Sequence, residues 1–399
     1  MSAPLENIKI LDMSRVLAGP WAGQLLGDYG ADVVKIERPA TGDDTRHWGP
    51  PWLGGESAYY LSTNRNKRSV TVDIAAPEGQ AIIKDLVQHV DVLLENFKVG
   101  TMARFGLGSD ELLELNPKLI YCSISAFGQT GTRAKDPGYD AMIQASAGLM
   151  SITGPAEHEA GGPQKVGVAI ADIMAGMYAT TAILAALNSR AQSGLGQHID
   201  VPLYDSQVAW LANQNLNYLI GGNTPGRMGT AHPNLVPYQA FATSDGDLML
   251  AVGNDRQFRN CCDALDLQSI AGDARFATAS SRVENRAALI PLLQSKFLRH
   301  STRHWLAALQ ERAVPAGPIN DIAEVLTNDH AIERNLVRSI QNSNAEAVPQ
   351  VSNPVEFGVT PVCYEKAPPF LGEHTIEVLS EWLGYSDAEI ETLRQSEVI

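Results

Sequence analysis

The chain has 399 residues, 44% of them hydrophobic and 19% charged, an ordinary globular composition with material for two domains or one large one. A formal net charge of −15 argues against a nucleic-acid-binding protein. No apolar run is read as reaching the ~18 residues of a membrane span, and four cysteines without CxxC or zinc-ligand spacing argue against a disulfide framework and against bound zinc.

The opening MSAPLENIKILDM has no basic stretch ahead of an apolar one, so no signal peptide is expected. The thiols are read as reduced, in the cytoplasm or an organelle matrix. The charge is unevenly spread. Residues 1–70 carry eight basic and eight acidic side chains, so the whole excess of acid lies beyond them. Within that segment NRNKRS (64–69) holds three cations and no anion. Such a run suits a small polyanion or, more plainly, a solvated loop.

IKILDM (8–13) reads as a strand, SRVLAGP as a turn, WAGQLLGDYG (21–30) as a short helix stopped by Gly30, and ADVVKIE (31–37) as a second buried strand. Strand, helix and strand in about 30 residues make a βαβ unit. Its turn lacks GxGxxG, which weakens a nicotinamide-cofactor reading. Strands follow at 69–74, 91–97 and 118–128, with helices at 78–90 and 109–117 between them. This alternation predicts a parallel, doubly wound α/β sheet. A helix is expected in YDAMIQASAGLMS and a long one, rich in small residues, within 166–196. A strand then a helix follow in 198–220. The texture changes at GGNTPGRMGTAHPNLVP (221–237), read as a loop or linker. YQAFATSDGDLMLAVG (238–253) reads as a hairpin turning at SDGD. Helical segments run to about 312, VPAGPIND (314–321) breaks the chain, and the tail is helical.

Asp172 is the most informative carboxylate. It stands among small and apolar residues in GVAIADIMAG, where the long helix begins. A helix start supplies free N–H groups and positive potential, which would hold a carboxylate ionised. From the residues alone, a plain N-cap is the leading role there. No HExxH, GxSxG or P-loop competes with it, and no metal site is expected.

ILDMSRVLAGPWAGQLLGDYGADVVKIERPATGDDTR resembles the opening of the class III CoA-transferase family, which includes formyl-CoA transferase, carnitine CoA-transferase and alpha-methylacyl-CoA racemase. The resemblance continues in order through NRNKRSVTVDI, VDVLLENFKVGTMARFGL, GYDAMIQASAG, GVAIADIMAGMYA, SGLGQHIDV, VPAGPIND and LGEHT. Within the family, GDDTRHWGPPWLGGESAYYLSTNRNKRS and GTAHPNLVPYQAF are most similar to the succinate–glutarate CoA-transferases.

The resemblance implies a Rossmann-like large domain with a parallel sheet, built from residues 1–220 and 326–399. It also implies a smaller α+β domain at 225–325 and an interlocked homodimer. Asp172 matches the family's nucleophile, and coenzyme A enters as the acyl-CoA substrate without a metal. Arg38 and Arg104 match positions that hold the nucleotide. Asn96, Phe97 and Lys98 match the CoA path, and Val16, Leu17 and Ala18 the turn beside the thioester. Val72, Asp73, Ile74 and Ala75 match a strand end near adenine; some relatives have lysine where Ala75 stands. Arg15, Arg46 and His232 are the candidates for the acid substrate, and the loop carrying His232 is expected to act as a lid. Tyr139 stands where the racemases carry histidine. A phenol with an ordinary pKa near ~10 suits proton shuttling poorly, so transfer is favoured over racemisation. A CoA-binding subunit without catalysis is the third reading, disfavoured by the intact Asp172 motif.

Overall fold

The computed structural model describes residues 2–399, which form two compact units. The larger comprises residues 2–149, 166–222 and 329–399, and the smaller residues 150–165 and 223–328. The smaller domain was expected at 225–325. The structure groups 150–165 with it as well, a segment with no local signal that sets it apart.

The larger unit is built on six parallel strands: β1 (Lys9–Asp12), β2 (Asp32–Glu37), β3 (Lys67–Thr71), β4 (Val92–Glu95), β5 (Ile120–Ser125) and β6 (Gln197–Pro202). Their order across the sheet is β3-β2-β1-β4-β5-β6. Leu11, Val34 and Leu93 face one core layer; Ile10, Val33, Val92 and Ile120 face the other. Both faces are covered, as a parallel sheet requires. On one side lies α1 (Ala18–Asp28), with α2 (Ala58–Leu61) following it in the chain; α3 (Pro77–Val87) covers the opposite side. The direction of crossover reverses between β1 and β4, which makes their carboxyl ends the switch point where open α/β sheets bind ligands.

Further helices complete the layers: α4 (Asp140–Ser146), α5 (Ile170–Ser193), α6 (Leu203–Trp210) and α7 (Asn213–Gly221). By length and composition α5 could cross a bilayer. This corrects the expectation that no run is that long. Its apolar character comes largely from small residues, and these serve packing: Ala171, Ala175 and Ala179 are fully buried against the sheet layer. A Cβ on Gly176 would stand 2.6 Å from the Ala18 carbonyl oxygen and 3.2 Å from the Trp21 ring. Gly176→Val should therefore push α5 off α1 and cost ~2–3 kcal/mol in a urea titration.

The expected basic patch at 64–69 is overturned. Arg65, Lys67 and Arg68 are buried. Arg65 forks onto Asp28, Lys67 bonds Asp12 at 2.9 Å, and Arg68 pairs with Asp32, Glu377 and Glu381. The acidic partners come from α1, from other strands and from the C-terminal segment, so local sequence could not reveal them. The run is an internal strut, neither a polyanion site nor a solvated loop.

The smaller unit carries a three-stranded antiparallel sheet: β7 (Tyr238–Ala242), β8 (Asp247–Ala251) and β9 (Ala316–Pro318), with β8 central. The hairpin turns at 243–246, closed by the Thr243 N–H donating to the Gly246 carbonyl. Its core gathers Phe241, Phe258, Phe297 and Trp305.

Candidate active site

Two adjoining clefts, each of about 240 Å³, open at the carboxyl ends of the strands of the larger unit. Arg15 and Phe97 line both. The first cleft takes its walls from the turns after β1, β4 and β5, at the switch point: Val16, Leu17 and Ala18, then Asn96, Phe97 and Lys98, with Tyr139 and Asp172 opposite. The second is bounded by Arg38, Val72, Asp73, Ile74 and Ala75.

The turn after β1 is held under strain. Val16 has φ 69°, a left-handed conformation that β-branched residues rarely adopt. Two features hold it there. The Asn96 amide grips Arg15 from both sides, accepting from its N–H at 2.8 Å and donating to its carbonyl at 2.7 Å. Asp43 accepts from the Val16 N–H and pairs with the buried Lys35 ammonium at 2.9 Å. Burial alone would push Asp43 up, but Lys35 and the Thr45 donors hold it well below the usual carboxylate range. Asn96 was expected on the CoA path; it lines the cleft, but its amide is spent on the backbone.

Asp172 lies in the first turn of α5, three residues past the N-cap Ala169. It does not cap the helix. Asp140, at the start of α4, does: its Oδ1 accepts from the Ala171 N–H at 2.8 Å and the Asp172 N–H at 3.4 Å. Among the described residues no donor reaches the Asp172 carboxylate. Burial, and then the negative charge of Asp140, push it up to about 7. This reverses the expectation that helix donors keep it ionised, because a second carboxylate has taken those donors. Tyr59 of α2 is close enough to feel this charge. Its hydroxyl is pushed up to about 12 by burial and by the carboxylates of Asp172, Asp140 and Asp43.

Two expected residues, Arg46 and Arg104, line neither cleft. Arg46 is 5% exposed and spends its guanidinium on Glu37 (2.8 Å through both Nε and Nη2), Glu56 (2.5 Å), the Tyr60 hydroxyl and the Pro369 carbonyl. Every nitrogen of the guanidinium is thus engaged by the protein's own groups. Arg104 is exposed, lies 4.8 Å over the Phe105 ring and lines neither cleft. His232 belongs to the smaller unit, where its Nδ1 accepts from the Asn234 N–H and its carbonyl accepts from Arg286. Arg15 stays in the cleft, paired with Asp44 at 3.2 Å, while its buried Nε has no partner among the described residues. Asp140, Tyr59 and Asp43 were not singled out from sequence. Asp140 had a local signal, an acid at a helix start after Tyr139, but its bond to another helix had none.

The family model for CoA-transferase family III matches residues 5–375. The chain is a family III CoA-transferase. The enzyme is 48% identical over 384 residues to the succinate–glutarate CoA-transferase of Agrobacterium fabrum, covering 95% of each chain. It is 43% identical to the human succinyl-CoA:glutarate CoA-transferase, over 99% of this chain and 90% of the human one. Among solved structures, a CAIB/BAIF family protein from Brucella suis is similar with TM-score 0.83 and 44% identity, over 96% of this chain and all of that one. Rv3272 from Mycobacterium tuberculosis is similar with TM-score 0.83 and 29% identity, over 94% and 98%. The enzyme therefore uses CoA thioesters as substrates, and the alternative of a non-catalytic subunit falls away.

Proposed function

We propose that the transferase moves CoA from succinyl-CoA to a dicarboxylic acid of about glutarate's length, with Asp172 as the covalent nucleophile. The substrate reading is supported by the names of the relatives above. The nucleophile reading rests chiefly on the Asp172 carboxylate, which faces the cleft at the switch point with no hydrogen-bond donor upon it.

The residues present fit an acyl-CoA. The clefts share Arg15 and Phe97 and so offer a continuous path. Arg38, half exposed at the edge of the second, suits phosphate, with its present Asp44 contact (3.1 Å) available for exchange. Ala75 supplies no cation of its own, and Arg38 lines the same cleft, so Arg38 takes the phosphate role.

Asp172 attacks the thioester carbon; the C–S bond breaks and the electron pair leaves on sulfur. The thiolate then attacks the aspartyl carbonyl of the mixed anhydride, giving an aspartyl-CoA thioester and free succinate. The acceptor's carboxylate attacks that thioester, and the thiolate finally takes the acyl group from the second anhydride, restoring Asp172. Each difficult exchange becomes easier steps. Arg15, with its unpaired Nε, is the candidate for the acceptor's distal carboxylate.

The same reading includes a cytoplasmic homodimer. The homodimer is supported by α7, which buries none of its residues and exposes Leu216, Tyr218, Leu219 and Ile220. Water exclusion, which anhydrides require, is the function such an assembly would serve.

Because the nucleophile must be ionised, kcat/KM should fall tenfold per pH unit below about 7 and level off above it. A pH profile with succinyl-CoA checks this. The substrate assignment is tested by a panel of acids against succinyl-CoA, scored by CoA-ester formation. Glutarate should exceed acetate and oxalate by at least ~100-fold in kcat/KM; equal rates for acids without a second carboxylate would refute it.

A further inference from the structure

We propose that Asp140 is a positioning residue that strips Asp172 of helix donors and sets a fixed negative charge beside it, so that acylation of Asp172 relieves a repulsion present in the resting enzyme. The inference rests on Asp172 being the nucleophile and concerns what tunes it.

Asp140 is held for this by bonds on both its oxygens. Oδ1 takes the Ala171 and Asp172 N–H groups. Oδ2 accepts from the Gln144 amide at 2.6 Å. Gln144 is fully buried, and it too grips the approach to α5, accepting from the Val166 N–H at 2.8 Å and donating to the Val168 carbonyl at 3.3 Å. One turn of α4 thus clamps both the irregular segment leading into α5 and its first free amides. A carboxylate without donors is poorly solvated, hence more nucleophilic. When Asp172 attacks, its Oδ–acyl bond forms, the C–S bond breaks, and the negative charge moves to sulfur without any proton transfer. The aspartyl group left beside Asp140 is neutral, so the like-charge repulsion ends with that step. Other charged or titratable groups lie on the elements around α5: Asp28 on α1, Tyr59 on α2, Tyr204 and Asp205 on α6, and His198 and Asp200 on β6. Tyr139, Arg15 and Lys98 line the same cleft. Of these and Asp140, Asp140 is the one whose charge acts on Asp172.

The test compares wild type, Asp140→Asn, and Asp140→Asn with Gln144→Glu. The double variant reverses the polarity of the 140–144 bond and keeps the Val166 contact, at the loss of the donor to the Val168 carbonyl, while the charge moves a helical turn along α4; it also serves if Asp140→Asn alone fails to fold. Each enzyme is incubated with succinyl-CoA, the Asp172 adduct is counted by mass spectrometry, and kcat/KM is followed from pH 5 to 9. Both variants should form the adduct, with the acid limb lower by about 1 pH unit, kcat down roughly tenfold and KM for succinyl-CoA within about twofold. The double variant should melt below wild type, because the Val168 carbonyl loses its donor, but should remain folded at assay temperature. An unmoved acid limb in the folded variants overturns the inference, as does a wild-type limb in the double variant. If wild type itself gives no adduct on Asp172, the nucleophile reading fails first and this one with it.

Discussion

Asp172→Ala should lower CoA transfer by at least ~10⁴-fold while leaving acyl-CoA binding within a few-fold of wild type. The side chain is one of many that line the cleft, and the Val16 turn, Phe97 and Arg38 all survive its removal, so binding and chemistry separate cleanly. Stability should move the other way. Burial and Asp140 raise the Asp172 pKa from 3.8 to about 7, so the ionised form is disfavoured in the fold. Below pH 4 the folded and unfolded chains both hold the proton and the cost vanishes. It builds as pH rises between those values and is complete above about 7. Asp172→Asn should therefore melt higher than wild type at pH 8 and no higher at pH 4. A variant that loses stability at pH 8 would show that the carboxylate has a structural partner.

Arg46→Met should destabilise the larger unit by ~3–5 kcal/mol, the cost of leaving a buried charge without its partner. Glu37 is 4% exposed and depends on the Arg46 fork; burial raises its pKa, and Arg46 with Lys35 brings it below the ordinary value. The damage should reach the cleft indirectly. Glu37 Oε2 also accepts from the Asp43 N–H at 2.9 Å, and Asp43 in turn holds Val16 in its left-handed conformation. Loss of Arg46 should thus raise KM for acyl-CoA and for the acid together. Arg46→Lys keeps the charge but loses the fork, and should recover less than half of the stability. A variant with native stability and a raised KM for the acid alone would return Arg46 to the substrate site.

The sheet was legible because its evidence is local. Apolar runs such as VVKIE and IYCSIS report a strand buried on both faces, and turn residues separate them. The hairpin at 243–246 was legible for the same reason. The wiring of charge was not. Arg46 sits beside Asp43 and Asp44, yet its partners are nine and ten residues away, at Glu37 and Glu56. NRNKRS looked like a surface because its counter-charges arrive from Asp12, Asp28, Asp32 and the C-terminal helix Thr375–Leu383. Asp172 was found by its resemblance to a family motif. Its electrostatics were misjudged because the helix donors next to it belong to Asp140, and nothing in the spacing of the two residues indicates that contact.

The most direct measurement is mass spectrometry of the enzyme incubated with succinyl-CoA and quenched with hydroxylamine. The account predicts a hydroxamate on the peptide containing Asp172, absent from Asp172→Ala, and its formation should diminish as pH falls below about 7. Transfer that proceeds with no modification of Asp172, or that persists in Asp172→Ala, would contradict it.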